Sequence, residues 1–516
     1  MSDADVDTIT ATIASWRETY ADPAADAAWL LCDRHDPEAL AFTLVSGDDL
    51  AGRDLTYGEL AARSRRMAAV LAQQGVGRGK RVAVLMGKRV DLVVTLVAIW
   101  RLGAVHVPLF TAFATPAIEM RIRSSTVEVV VTEPSQRAKL AGLDGLTVLE
   151  AGPDLDALVD AAEPVAENVA VGGEGQLVEL YTSGTTGTPK AVPVPVRALA
   201  AFTSYMHYGL DVRADDVFWN AADPGWAYGL YYGVMGPLVT GRRNLLLDAG
   251  FTPDTTFGVL ARHGVTNFAG APTMYRAMRR TEVPPGVRLR RASSAGEPLT
   301  PDVITWAEQA LGTEVRDHYG QTEQGMAIVN GWHDDVRRPL EPGSMGVELP
   351  GFRAGVVDGQ IALATDSPLM WFTGYLDAPE KTAERFTPDH TWYLTADIGT
   401  VDEEGYYFFT ARDDDVILAA GYRIGPFDVE SVLITHPLVA DVAVVGAPDE
   451  VRGEVVAAYV VLEPGAEPGP DFEAELQQLV RTKYSAHAYP RQVHVVDALP
   501  KTPSGKVQRY LLRRGG

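Results

Sequence analysis

The sequence predicts an α/β protein: a large amino-terminal domain of several subdomains with doubly wound sheets, followed by a small, mobile α+β domain. Three observations carry this. From Arg81 onward, apolar runs of strand length alternate with amphipathic stretches of helix length, the rhythm of parallel strands joined by crossover helices. A chain of 516 residues exceeds what one core can hold. Near residue 412 the chain changes character, passing through Asp413, Asp414 and Asp415 into a glycine-rich turn and a compact last unit.

The elements follow in order. From Asp5 to Tyr20 apolar residues recur at helical spacing, and Thr56 with Glu59 reads as a capping box opening a helix that ends near Gln74. RVAVLM at 81–86 reads as a buried strand, DLVVTLVAIWRLG as a helix closing on Gly103, and AVHVPL as the next strand. VEVVVTE continues as a strand, PTMYRAMRR as a helix, VRLRRASSAG as a strand feeding a glycine turn, and PDVITWAEQAL as a helix that starts on proline. No internal period recurs, which excludes a repeat array. We set the joint at Asp413–Asp414, so that 1–412 forms the large domain and 413–516 the small one, built from VADVAVVGAP, VVAAYVVLEP, FEAELQQLVRTKY and QVHVVDALP.

Composition narrows the function classes. The 45 basic and 68 acidic residues give a net charge of −23, which repels nucleic acid and anionic membranes as bulk partners. Cys32 is the single cysteine, so an internal disulfide is excluded and a cysteine metal cluster is disfavoured, in keeping with a reducing compartment. The first residues are acidic and lack an apolar core, unlike a signal peptide. The longest apolar tract, 81–109, is broken by Lys88, Arg89, Asp91 and Arg101, which suits a buried strand-helix-strand and not a membrane span. The expected location is cytoplasmic.

Chemistry concentrates in YTSGTTGTPKAV, 181–192. Glycines and hydroxyl residues followed by a lysine can wrap donors around phosphate oxygens: Thr182, Ser183, Gly184, Thr185, Thr186, Gly187, Thr188, Pro189 and Lys190. The spacing is not that of a P-loop, because Gly184 and Gly187 stand three apart and Lys190 follows a proline. The tail from Arg481 to Gly516 holds eight Lys or Arg against one Asp, a local reversal of charge suited to a polyphosphate.

Behind the phosphate loop come SSAGEPL (293–299), DHYGQTEQG (317–325), WYLTADIG (392–399), ARDDDVILAAGYRIG (411–425) and LPKTPSGK (499–506). Six motifs in this order resemble the adenylate-forming, AMP-binding superfamily of acyl-CoA synthetases, from Thr56 to Arg509. GYRIGPFDVE and APDEVRGEVV point to its medium-chain subgroup. The resemblance implies an enzyme in which a carboxylate attacks the α-phosphorus of ATP, giving an acyl-adenylate and pyrophosphate, before a thiol displaces AMP. It implies ATP, Mg²⁺ and CoA as its reagents.

By the same resemblance, Thr182 to Lys190 hold the β and γ phosphates and Glu323 ligates Mg²⁺. Gly296, Glu297 and Pro298 flank the adenine and Tyr319 stacks on it. Asp317, His318, Gly320 and Gln321 complete the nucleotide site, with Thr322 on the α-phosphate. Asp397 and Arg412 take the ribose hydroxyls. Lys506 bridges carboxylate and α-phosphate as the new bond forms. Asp414 is the hinge on which the small domain swings, bringing Ala420, Gly421, Tyr422 and Arg423 to the pantetheine channel. Arg423, Arg452, Arg481 and Tyr489 match positions for the CoA nucleotide. Trp226, Ala227, Tyr228, Ala295 and Gly320 match walls of the acyl pocket.

The chain departs from the family pattern in three places: Ala420-Gly421 stands for Ser-Gly, Thr395-Ala396-Asp397 for Thr-Gly-Asp, and Gly320 for the tryptophan of acetate-selective relatives. The last implies a deep cavity, so a medium-chain, branched or aromatic acid is expected, and Gly320→Trp is expected to shift preference toward short acids. Two other readings remain open: an adenylating ligase whose acceptor is a carrier-protein thiol or an amine, and a catalytically silent nucleotide-binding protein. The tail lysine also sits in an acetylation context of the family, so a regulatory acetyltransferase is an expected partner at Lys506.

Overall fold

The computed structural model describes residues 3–182, 189–412, 415–419, 422–449, 453–485, 487–501 and 507–514. Among them, strands form three sheets, of thirteen, six and five members. The first two, with the helices packed on them, make a large amino-terminal domain, and the third makes a smaller carboxy-terminal one.

Local signals set the first helices. Asp3–Tyr20 is helical, and Tyr57–Gln73 opens on the expected capping box, with Thr56 Oγ1 accepting from the Glu59 amide and the Glu59 carboxylate accepting from the Thr56 amide. Helix Val90–Arg101 is buried from Leu92 to Arg101 because it is apolar on every face. The charge at its last residue is neutralised: Arg101 is fully buried, donates to both Asp33 oxygens at 2.5 and 2.7 Å, and reaches Ser64 and Asn168.

In the six-stranded sheet, Arg81–Leu85, Val105–Leu109, Val129–Thr132, Thr147–Glu150 and Gln176–Thr182 run parallel. Lys190–Pro195 then folds back antiparallel on Gln176–Thr182, with Thr182 opposite Lys190. Thr182 and Lys190, the described residues on either side of the glycine-rich stretch, are thereby held side by side.

The thirteen-stranded sheet changes direction in its middle. Leu40–Ser46, Asn244–Asp248, Phe218–Asn220, Asn267–Gly270, Arg291–Ala295 and Val315–Gln321 are parallel neighbours. From Val315–Gln321 onward pairing is antiparallel, through Gly325–Val329, Ser344–Glu348, Tyr407–Arg412, Trp392–Val401, Gln360–Ala364 and Ala354–Val357. The doubly wound expectation holds for the parallel part, while the antiparallel half had no counterpart in the sequence reading. Ligands of parallel sheets bind beyond strand carboxyl ends, and the last of the parallel strands, Val315–Gln321, is also the one from which pairing turns antiparallel.

In the small domain, Val439–Asp449 and Gly453–Leu462 form a long hairpin, Gln492–Val495 adds a parallel strand, and Phe472–Lys483 is helical. It meets the large domain through Arg280, whose guanidinium donates to the Ala440 carbonyl at 2.6 Å and pairs with Glu463 at 3.0 Å. Gly425 also abuts the Thr410 carbonyl so closely that a Cβ would lie 2.6 Å from it.

Candidate active site

Strand Val315–Gln321 supplies five of the expected nucleotide residues, and the chain has to bend sharply there, with a register shift between Tyr319 and Gly320. The Tyr319 hydroxyl and the Gln321 side-chain amide both donate to Asp397 Oδ2 at 2.6 Å, while Arg412 Nη1 donates to Oδ1 at 2.9 Å. Asp397 and Arg412 are register partners on adjacent strands, so the sheet itself sets their pairing. Gln321 is held from behind, accepting from the Tyr393 hydroxyl at 2.9 Å and donating to the Thr395 carbonyl at 2.9 Å. Ala396, standing for the family glycine, takes φ +60°, a left-handed conformation that costs an alanine of order 1 kcal/mol.

A second group forms around Glu323, which is 6% exposed. Its Oε1 accepts from the Tyr375 hydroxyl at 2.8 Å, and Arg385 Nε donates to the same phenol oxygen at 3.2 Å. Lys190 Nζ lies 4.8 Å from the centre of the Tyr375 ring, a cation–π distance. Burial and the nearby Arg385 cation depress the Lys190 pKa, with the Glu323 carboxylate opposing them. The lysine that opens strand Lys190–Pro195 is thus brought beside Glu323 through one aromatic ring. The Thr322 carbonyl accepts from the Tyr231 hydroxyl at 3.0 Å, which anchors the turn.

Taken with the fold, this geometry invites comparison with known proteins. The AMP-binding enzyme family matches residues 32–363, and the AMP-binding enzyme C-terminal domain matches residues 428–506. The chain belongs to the AMP-binding enzyme family. Over 488 residues it is 34% identical to the acetyl-coenzyme A synthetase of Bacillus subtilis (strain 168), covering 89% of this chain and 84% of that one. It is also 34% identical to the mitochondrial acyl-coenzyme A synthetase ACSM3 of Rattus norvegicus, over 92% of this chain and 86% of the relative. The crystal structure of a Brucella canis acyl-CoA synthetase superposes with a TM-score of 0.75 at 43% identity, covering 96% of this chain and 94% of that one.

In this AMP-binding enzyme the other expected residues divide into three groups. Gly296 takes φ +97°, and Glu297 is paired with Arg276 at 3.0 Å, next to Pro298. Asp317 is buried, its Oδ2 accepting from the Leu299 amide at 3.4 Å, and burial pushes its pKa well up. His318, expected among the nucleotide contacts, turns its side chain into the protein. Its ring is 2% exposed, and both nitrogens are spent inside the protein, on the Tyr205 hydroxyl at 2.8 Å and the Asn330 carbonyl at 3.2 Å.

The expected acyl-pocket residues do not all face one way. Tyr228 packs against Tyr205 and Tyr232, whereas Trp226 turns to Phe110 and Phe113, with ring centres 5.3 and 5.2 Å away. Ala227 starts the short helix Ala227–Leu230, and Ala295 ends strand Arg291–Ala295. Gly320 corrects the sequence reading. A Cβ there would lie 2.1 Å from the Gly325 carbonyl oxygen and 2.7 Å from the Met326 Cα, so with this backbone any side chain at 320 meets main chain before it can fill a cavity.

The basic tail is also reduced. Lys501 pairs with Asp441 at 2.6 Å, Arg509 with Glu430 at 2.8 Å and Arg513 with Asp415 at 2.7 Å, so these charges hold the small domain together. On its surface Arg481 stacks 3.8 Å over Tyr489, and Arg491 lies 4.6 Å from the same ring. Tyr422 and Arg423 lie in strand Tyr422–Ile424, paired to Ile417–Ala419. Ser183, Gly184, Thr185, Thr186, Gly187, Thr188, Asp413, Asp414, Ala420, Gly421, Arg452 and Lys506 fall outside the described residues. Sequence reasoning missed Tyr375, Arg385, Tyr393 and Tyr205, which act through other residues; WFTGY at 371–375 was the one local signal for Tyr375. Among the described residues, no helix is long and apolar enough to cross a membrane.

Proposed function

We propose that this AMP-binding enzyme is an acyl-CoA synthetase, an acid–thiol ligase that activates a medium-chain, branched or aromatic carboxylic acid with ATP and passes it to CoA. The observation that carries the reading is the meeting of Lys190 and Glu323 at the Tyr375 ring, beside the hub of Asp397, Arg412, Tyr319 and Gln321.

The first difficulty of the reaction is that two anions must approach. Lys190 at the start of its strand, with the donors of 182–189, neutralises the β and γ phosphates. Glu323 offers a hard, buried carboxylate with Oε1 engaged by Tyr375. That donor set fits Mg²⁺, which takes few protein carboxylates and completes its shell with water and phosphate oxygens. When bound, the ion spreads phosphate charge and orients the pyrophosphate leaving group. Asp397, steadied by three donors, accepts from the ribose hydroxyls, and Arg412 holds its second oxygen in place. Lys506 from the small domain stabilises the charge that builds between carboxylate and α-phosphorus.

The second step needs that lysine gone and a thiol in its place. The small domain rests on the large one through Arg280 and the Gly425 turn, contacts a rotation about Asp413–Asp414 can exchange. Arg481 and Tyr489, with Arg423 and Arg452, then receive the CoA nucleotide. The test is acid-dependent exchange of pyrophosphate into ATP, followed by AMP release with and without CoA. Full exchange with Lys506→Ala removes the assignment of that lysine, since losing such a charge costs about 3 kcal/mol or more of barrier, a hundredfold or greater. AMP release that ignores CoA but responds to an amine removes the thiol acceptor.

A further inference from the structure

Tyr228 is the last member of a buried hydrogen-bonded chain whose direction is fixed. The far end is the Asn330 carbonyl oxygen, which can only accept, so the His318 Nε2 that approaches it at 3.2 Å carries a proton. Asn330 is itself anchored, its side-chain amide donating to the Asp317 and Ser344 carbonyls at 3.0 and 2.9 Å. Burial holds the His318 pKa down to about 3, so the ring is neutral and its Nδ1 is a bare lone pair. The Tyr205 hydroxyl, 2.8 Å away and fully buried, must donate to it. Its single proton is then spent, so the Tyr228 hydroxyl at 2.9 Å donates to Tyr205.

Tyr228 is left with lone pairs and no proton to offer. Unlike Tyr205, it keeps part of its surface accessible. His318 and Ala295 are register partners on neighbouring parallel strands, so their side chains share one face of the sheet, the face on which Tyr205 and Tyr228 stand. We infer that Tyr228 selects, as an acceptor, carboxylic acids whose tail carries a hydrogen-bond donor, a hydroxyl or an amino group. The inference rests on the acid-activating reading and narrows its substrate class. A tail without a donor leaves the phenol oxygen facing apolar atoms, and sites built to hydrogen-bond a substrate reject analogues that lack the group far more strongly than apolar pockets reject a change of size.

The experiment is pyrophosphate exchange by the full-length protein with matched acids: para-hydroxy, para-amino, para-methoxy and unsubstituted benzoic and phenylpropanoic acids, and ω-hydroxy, ω-methoxy and unsubstituted hexanoic acids. Within the best series, the donor-bearing acid is expected to exceed its methoxy and unsubstituted analogues about tenfold or more in kcat/KM. Tyr228→Phe should bring that ratio close to one. Tyr205→Phe frees the Tyr228 proton and should move the preference toward the methoxy acid, a reversal that a merely structural role of Tyr205 does not produce. Exchange in which the wild-type protein treats donor and donor-free acids alike, or a preference that survives Tyr228→Phe, overturns the inference while leaving adenylation standing. No exchange with any acid overturns both.

Discussion

Replacing Asp397 with asparagine keeps the size of the side chain and removes one acceptor oxygen. The carboxylate is 4% exposed and collects Arg412 on Oδ1 at 2.9 Å, and Tyr319 and Gln321 on Oδ2, each at 2.6 Å. An amide cannot satisfy both sides. With its oxygen toward Tyr319 and Gln321, its NH₂ meets the Arg412 N–H; turned round, it meets the Gln321 N–H. Either way two donors face each other and a charge-assisted bond or its equivalent is lost, which in a buried setting amounts to about 1.5–3 kcal/mol. The Arg412 side chain is 32% exposed, so water recovers part of this, and we take about 2 kcal/mol. Asp397→Asn should therefore lower the unfolding free energy of the large domain by about 2 kcal/mol and, if the same oxygens receive the ribose, weaken ATP binding by a further factor of about ten. Urea unfolding followed by circular dichroism measures the first, and calorimetric titration with a non-hydrolysable ATP analogue the second. A variant with the wild-type urea midpoint and the wild-type Kd refutes the hub.

Three further outcomes are expected. Glu323→Gln keeps an acceptor for Tyr375 but removes the charge, so exchange should fall about a hundredfold and need more Mg²⁺; a Mg²⁺ dependence identical to wild type contradicts this. Gly320→Ala should reduce stability and exchange with every acid, because its Cβ meets the Gly325 carbonyl; a fully stable variant that only favours shorter acids would restore the simple cavity-filling picture. His106 is 2% exposed, its ring nitrogens have no hydrogen-bond partner among the described residues, and burial lowers its pKa to about 3. Because the folded value lies below the unfolded one, the unfolded chain binds the proton between pH 6.5 and 3, and stability is lost as pH falls through that window, by about 2 kcal/mol at pH 5. His106→Leu should raise the urea midpoint at neutral pH and widen its lead over wild type at pH 5; an unchanged gap counts against it.

The sequence by itself determined the parts of this protein whose information is local. Caps, apolar periods and turn glycines depend on residues a few positions apart, so the helix at Tyr57–Gln73 and the strands flanking Val90–Arg101 could be read from the chain. Ordered motifs carried the family in the same way, because each is a short stretch whose chemistry is complete in itself. The tertiary structure decided what depends on pairing at a distance. The antiparallel half of the large sheet was invisible because strand direction is set by partners far along the chain, and Lys190 met Glu323 only because Tyr375, from a loop between them in space, donates its hydroxyl to Glu323 and turns its ring to Lys190. Gly320 shows the limit most clearly: a missing side chain reads as empty space in a sequence, whereas the folded backbone has already filled it with the Gly325 carbonyl. The proton order from Asn330 to Tyr228 is likewise a property of four residues that only packing brings into line, since no single one of them fixes which way its neighbour donates.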